Sequence, residues 1–261
     1  MAIGKVAPTV TSRYYSGQGI CMMGTRNPTT GEPEGLLPIG NVPALEIGIA
    51  ETSENHKEAW TGQRGVDRTY VTETTVNVTM TFESMDPVNL ALGLKASLTE
   101  RASATQITKS VKLFKGKWAV LPHVKVSNVI LATTNPDKGD IVDTDIEVDE
   151  AGGMVRLKAA YAGTVTDGTK IAFTYDHAKQ LDVQALTVSE DAERYFVFRG
   201  LNTDDGKAVR LTIPRLRVAP FGALGKINDG IAGVEVTCNA LADEKITEIG
   251  ASKYFSEIWE S

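Results

Sequence analysis

A mainly β fold with one short flanking helix is what this sequence predicts, on three observations. The stretch "TVNVTMTF" alternates with period two. Val76, Val78, Met80 and Phe82 fall on one face and Thr75, Asn77, Thr79 and Thr81 on the other, the mark of a strand with one face on a core. "GVEVTCNA" alternates in the same way. Helical spacing with a proper start is found in "MDPVNLALGLKA". There Asp86 is placed to cap and Pro87 to open a helix of about three turns. With 261 residues, 42% of them hydrophobic, the chain suffices for one large β domain, or one domain carrying an insert.

The elements follow in order. Met1 to Asn41 concentrates glycine and proline in "GTRNPTTGEPEGLLPIGN" and reads as an extended arm with turns. "ALEIGIA" is a half-buried strand. Between it and the Thr-rich strand lies "AETSENHKEAWTGQRGVDRTY". It is polar and charged, and longer than the two to five residues that usually close a hairpin, so it reads as a loop built for a purpose. "RYFVFRG" is apolar on both faces and predicts a covered central strand. In "AVRLTIPRLRVA" the apolar positions shift by one after Pro214. That shift predicts a bulged, kinked strand with Arg215 and Arg217 on its polar side. "ASKYFSEIWES" spaces Tyr254, Phe255, Ile258 and Trp259 as a helix would.

A small acidic β insert is expected over residues 123–176, between flanking parts 1–122 and 177–261. From Asp137 to Glu150 it carries seven acids and one lysine, a local balance equal to the whole chain's −6. "DIEVDEAGGMVRL" reads as a hairpin turning at Ala151-Gly152-Gly153, and "TDGTKIAFTY" as a turn into a strand with Ile171, Phe173 and Tyr175 on one face.

Composition narrows the function classes. A net charge of −6 argues against a broad phosphate-gripping surface. Two cysteines, Cys21 and Cys238, make no disulfide framework, and Cys238 continues an apolar alternation as a core thiol would. "MAIGKVAPTV" lacks the layout of a signal peptide, and no apolar run reaches membrane-span length. The expectation is synthesis in a reducing cytoplasm, with no membrane partner.

Motifs for chemistry are weak throughout. Asp143, Asp145, Glu147 and Asp149 are oxygen ligands in type, but the glycine a calcium loop requires is missing. A solvated strand face accounts for them. "SGQGICMMG" lacks the third glycine of a phosphate cradle. His56, His123 and His177 are scattered, without metal-ligand spacing. Trp60, Trp118 and Trp259 fall in unrelated segments, which speaks against a sugar-stacking platform. No acid–base pair or activated nucleophile assembles, so neither enzyme activity nor a cofactor is expected.

One resemblance adds to this reading. The run "GEPEGLLPIGNVPALEIGIAETSENHKEAWTGQRGVDRTYV", the Thr-rich strand after it and "DPVNLALGL" resemble the phage major tail tube proteins. The likeness is closest over Gly31 to Leu94, and the later strands agree in type and order. It implies a tail-tube-type β-sandwich or barrel with one flanking helix. It also implies a structural virion protein whose hexameric rings stack into the tail tube, the conduit for DNA ejection. The implied partners are further copies of the chain, a tape measure protein and tail completion proteins. Double-stranded DNA would pass through without specific binding. The place is the virion tail, after assembly in the bacterial host cytoplasm.

Two sets of residues become candidates within that frame. Glu54, His56, Lys57, Trp60 and Arg64 would touch the next ring, with Trp60 as the large anchor. Thr75, Asn77, Thr79 and Thr81 would face the lumen, because a polar wall without cations lets DNA slide. A tail completion ring, a capsid decoration protein and a carbohydrate-binding β module are the competing readings.

Overall fold

The computed structural model describes residues 14–60, 62–188 and 193–261. The first thirteen residues of the expected N-terminal arm therefore lie outside the described part. Among the described residues the chain forms β1 (Gly17–Thr25), β2 (Leu37–Pro38), β3 (Leu45–Lys57), β4 (Val66–Phe82) and α1 (Pro87–Gly93). It continues through β5 (Ser97–Arg101), β6 (Ala104–Lys112), β7 (Ala119–Val120), β8 (Val126–Leu131), β9 (Ile146–Asp149) and β10 (Met154–Leu157). The remaining strands are β11 (Lys170–His177), β12 (Gln180–Gln184), β13 (Glu193–Asn202), β14 (Ala208–Val218), β15 (Val234–Ala240) and β16 (Ser256–Trp259). The fold is mainly β, and its one α-helix among these residues is short.

The chain divides into two compact units. One is built from the chain up to Ser97 and from Gln184 onward, the other from Leu98–Val183. The second unit is thus wider at both ends than the segment 123–176 that texture alone suggested.

In the first unit an eight-stranded antiparallel sheet runs β2-β1-β13-β14-β15-β4-β3, with β16 also on β14. Direct partners share a face, so the register carries one apolar face across the sheet. Met23 faces Phe196, and Phe196 faces Ile213. Val218 faces Cys238, Cys238 faces Val78, and Val78 faces Ile47. Val78, Met80, Phe82, Phe196, Ile213, Leu216, Val236 and Cys238 have no exposed surface. Burying each large apolar side chain contributes roughly 1.5–3 kcal/mol. Burial also pushes the Cys21 thiol up to about 11 and the Cys238 thiol up to about 12, which makes both inert core groups.

The kink predicted at Pro214 is present. Arg194 faces Leu216 while Phe196 faces Ile213, so β14 holds one extra residue at Pro214 and Arg215. The edge of β14 away from β13 is then shared end to end. Leu216–Val218 pair with β15, and Val209–Thr212 pair with β16. Pro214 falls in the gap between the two, where its missing N–H leaves no ladder bond unmade. The C-terminal aromatic segment, spaced like a helix, is therefore a strand. An open edge of β14 was available, and sequence spacing does not report it.

The helix is seven residues, about two turns rather than three. The Asp86 carboxylate caps it by accepting from the N–H groups of Val88 and Asn89, at 2.9 and 2.8 Å. It stops at Gly93, where a Cβ would stand 2.0 Å from the Phe221 ring. That ring packs edge-on against Phe82 with centroids 6.4 Å apart. A further departure is the arm before Asn41, whose stretch Gly17–Thr25 is a full sheet strand on β13.

A charged cluster ties the segment after β15 to this sheet. The Arg26 guanidinium is buried and donates to Asp243 at 2.7 Å and to Glu193 at 3.2 Å. Arg215 also donates to Glu193, at 2.5 and 2.8 Å. Burial alone would raise the Asp243 carboxyl, but hydrogen bonds from Arg26 and the Lys245 N–H hold it below its usual range.

The second unit has its own core, centred on Leu113, Ile141, Val155, Ile171, Phe173 and Tyr175. Its sheets run β7-β10-β9 and β6-β11-β8, and β5 pairs with β12. The hairpin β9–β10 turns where expected. Gly153 has φ +64 there and lies so close to the His123 carbonyl that a Cβ would overlap it.

Candidate assembly surface

One row of facing residues marks where the core of the first unit ends. Ile49, Val76, Ala240, Leu216, Arg194 and Thr25 oppose one another in turn across the sheet. Up to this row β4 lies between β15 and β3. Past it, from Thr75 back to Val66, β4 pairs with β3 alone among the described residues. The segment read from sequence as a loop, Ala50 to Tyr70, makes up most of this two-stranded ribbon and its tip. Its pairs run without a gap from Ala50 opposite Thr75 to Lys57 opposite Val66, with bulges at Thr52/Ser53 and His56/Lys57. At about 3.3 Å per residue it projects about 25 Å.

Every ribbon residue from Gly48 to Lys57 is exposed, as is every residue from Val66 to Glu73. Sequence alternation fails here because neither face has a core to meet. Cross-strand side chains hold the ribbon instead. Thr69 bonds Asn55 at 2.7 Å, the Tyr70 hydroxyl donates to Glu54 at 2.8 Å, and Thr72 donates to the Thr52 carbonyl at 3.0 Å. Accepting from Tyr70, Glu54 pushes that phenol up. Each such pair contributes only about 0.2–1 kcal/mol. A lone two-stranded ribbon is marginal in water.

The expected contact residues fall along this ribbon. Glu54 holds Tyr70, His56 Nδ1 meets Asp67 at 2.6 Å, and Lys57 ends β3 opposite Val66. Trp60 and Arg64 belong to the tip, closed by the Glu58 N–H donating to the Gly65 carbonyl at 2.9 Å. Arg64 there takes a positive φ of 53. Trp60 is 87% exposed, an unusual position for a residue of that apolar area.

Two strand edges lie open along the ribbon. β3 ends the sheet order, and β4 has no second partner over Val66–Thr75 among the described residues. A cleft of about 460 Å³ opens at the root, between Glu73–Asn77 of β4 and Asn239–Ala242, with Tyr254 beside it.

The four residues expected to line a lumen share one face at the base of β4. Asn77 is exposed, and Thr75, Thr79 and Thr81 are half-buried. The structure widens that face with residues the sequence reading passed over. Glu235, Thr237 and Asn239 of β15 stand opposite Thr81, Thr79 and Asn77. Glu46, Gly48 and Ala50 of β3 stand opposite Thr79, Asn77 and Thr75. These ten residues contain no Lys or Arg. The signal was the polar half of "ALEIGIA" and "GVEVTCNA", which one strand alone does not assemble into a surface.

Other candidate chemistry resolves into structural roles. Asp143, Asp145 and Asp149 accept backbone N–H groups of Leu131, Val142 and Gly152 at 2.7, 3.1 and 3.1 Å, and Glu147 pairs with Arg156. Only Glu147 and Asp149 of that expected strand face lie in a strand, since Asp143–Asp145 form a 3-10 turn. Among the described residues no three His, Cys, Asp or Glu side chains gather to hold a metal. The tryptophans are separate: Trp60 at the tip, Trp118 under the Arg156 guanidinium at 4.4 Å, Trp259 beside Tyr15 at 5.2 Å. His123 and His177, distant in sequence, stack on each other with ring centroids 3.8 Å apart.

Fold and surface together define a mainly β protein with a projecting two-stranded arm beside a polar sheet face. It belongs to a family described as "Protein of unknown function UCP028589", which matches residues 14–257. No curated protein matches the chain. Among the described residues no helix is long and apolar enough to cross a membrane.

Proposed function

We propose that this protein is a structural subunit that assembles with copies of itself into stacked hexameric rings, forming a phage tail tube through which DNA is ejected. The observation that carries the reading is the arm: an exposed ribbon with two open strand edges and a bare Trp60 at its tip. Open edges invite pairing with another chain, and an exposed aromatic is the kind of residue that dominates interface energy. In this reading Glu54, His56, Lys57, Trp60 and Arg64 contact the next ring. Thr75, Asn77, Thr79 and Thr81 line the channel with Glu46, Glu235, Thr237 and Asn239. On β3, β4 and β15 this wall offers phosphates no cation, so DNA keeps its counterions and its mobility there; Arg217 of β14, opposite Asn239 and Glu193, ends the row. The protein catalyses nothing, needs no cofactor, and works in the virion tail with tape measure and completion proteins as neighbours.

Negative-stain microscopy of the purified protein tests the reading directly. Long tubes support it. Single rings point instead to a completion ring, and monomers with saturable sugar binding to a carbohydrate module. Trp60→Ala protein should fold normally yet stack poorly, and tubes at normal yield would remove Trp60 from the interface. Replacing Asn77 and Thr79 together by Lys should slow genome ejection while leaving tubes intact. Unchanged ejection would take the lumen role from this face.

A further inference from the structure

We propose that the stacked pair His123–His177 is a proton-operated latch within the second unit. Both rings are about 7% exposed, their planes lie within 5° of parallel, and their centroids are 3.8 Å apart. His177 ends β11 and His123 lies in the segment between β7 and β8, so the stack joins those two pieces of chain. The His177 Nδ1 lies 2.9 Å from the Ala178 carbonyl, which accepts only, so this nitrogen carries the hydrogen. The His123 Nδ1 lies 2.9 Å from the hydroxyl of fully buried Tyr175.

With both rings neutral, the Tyr175 O–H donates to His123 and the stack holds no charge. A proton on His123 Nδ1 turns that bond round and deprives the Tyr175 hydroxyl of its acceptor. That proton also sets a buried cation against the stacked neighbouring imidazole. The surroundings oppose charge as well. Burial, His177, Arg101 and Lys109 all hold His123 below its ordinary value. Asp176 is the adjacent anion, but its carboxylate already accepts the Gln106 N–H and the Asn128 amide, both at 2.7 Å. Gln180 contacts the His177 Nδ1 at 3.3 Å. Lys125 and Glu150 stand at the rim of an open recess of about 720 Å³ that His177 also lines.

The backbone around the latch is poised to move. β11 is bulged against β6 between Tyr175 and His177, and against β8 between Thr174 and Asp176. Gln106, Lys125 and Asn128 hold positive φ angles of 51, 49 and 52, a conformation that costs non-glycine residues energy. Protonation releases this end of the unit toward the recess, where water reaches the rings.

Amide hydrogen exchange of the full-length protein, corrected for intrinsic rates and followed from about pH 8 to about pH 5, tests the latch. Protection of residues 121–127 and 175–178 should fall at least about tenfold on acidification. Amides of β14 and β15 should hold their protection over the same range. In the double variant His123→Gln, His177→Gln the acid-induced loss should disappear. Loss of equal size in wild type and double variant, or none in wild type, overturns the proposal. If the double variant does not fold, the wild-type ring proton resonances decide. Their titration must coincide with the opening, and titration without opening overturns it.

Discussion

The two halves of β4 share strand-forming residues, with charged side chains only in the outer one, and have opposite surroundings. From Val76 to Met80 the strand is paired on both sides, and from Val76 to Phe82 every second side chain is buried. From Val66 to Glu73 it is paired on one side, and every side chain is exposed. Thr, Val and Tyr supply five of the eight residues from Val66 to Glu73, and Thr, Val and Met five of the seven from Val76 to Phe82. β-propensity therefore sets the backbone in both halves, while burial decides what each half is for. The inner half holds the unit together. The outer half contributes little to that and is free to serve another chain.

Substitutions in the first unit and at the ribbon tip should separate the two roles. Phe82→Ala should destabilise the first unit by roughly 3–5 kcal/mol, as truncation of a buried aromatic does, visible as a lower urea midpoint. Arg26→Met leaves Asp243 buried without its guanidinium and should cost roughly 3 kcal/mol, with the loss concentrated at β1 and the segment after β15. Trp60→Ala should change the stability of the isolated subunit by less than about 0.5 kcal/mol while abolishing most of any stacking. A large stability loss there would mean that the arm is part of the folding unit, and the contrast would fail.

Acid should sharpen the comparison between the two units. His123 is held below its unfolded value, so its contribution is present above about pH 6.5. That contribution is lost as pH falls from there through the folded pKa. Asp243 is depressed from an already acidic value, so its contribution persists above about pH 4 and fades only below that. The second unit should therefore weaken first as pH is lowered, with the first unit following in stronger acid. Circular dichroism with exchange readouts in each unit checks the order.

Much of the fold was readable because one-sided burial writes period two into a strand. "TVNVTMTF", "GVEVTCNA" and the register slip at Pro214 all lie against the same core. The arm was not readable, since a ribbon bare on both faces has no apolar period and resembles a loop. β16 differs for a related reason: Tyr254, Phe255, Ile258 and Trp259 fit helical spacing, and the edge of β14 that pairs with Ile258 and Trp259, at Arg210 and Val209, is distant in sequence. The candidate surface divides likewise. Its residues on β4 stood out one by one. Their neighbours Glu46, Glu235, Thr237 and Asn239 join only through pairings between distant strands.

The shared edge of β14 also bears on how the protein is made. The second unit, Leu98–Val183, is one uninterrupted length of chain, so all of its contacts are within reach once Val183 leaves the ribosome. The large sheet is drawn from both sides of that length. β1 must wait through the synthesis of the whole second unit for β13, and β4 for β15. β16, made after all of these, then covers Val209–Thr212. Until then the longest open edges belong to the unit proposed to pair with its own copies. Premature pairing between nascent chains is thus the hazard this topology carries, and the insert lengthens the interval over which the early strands stay exposed.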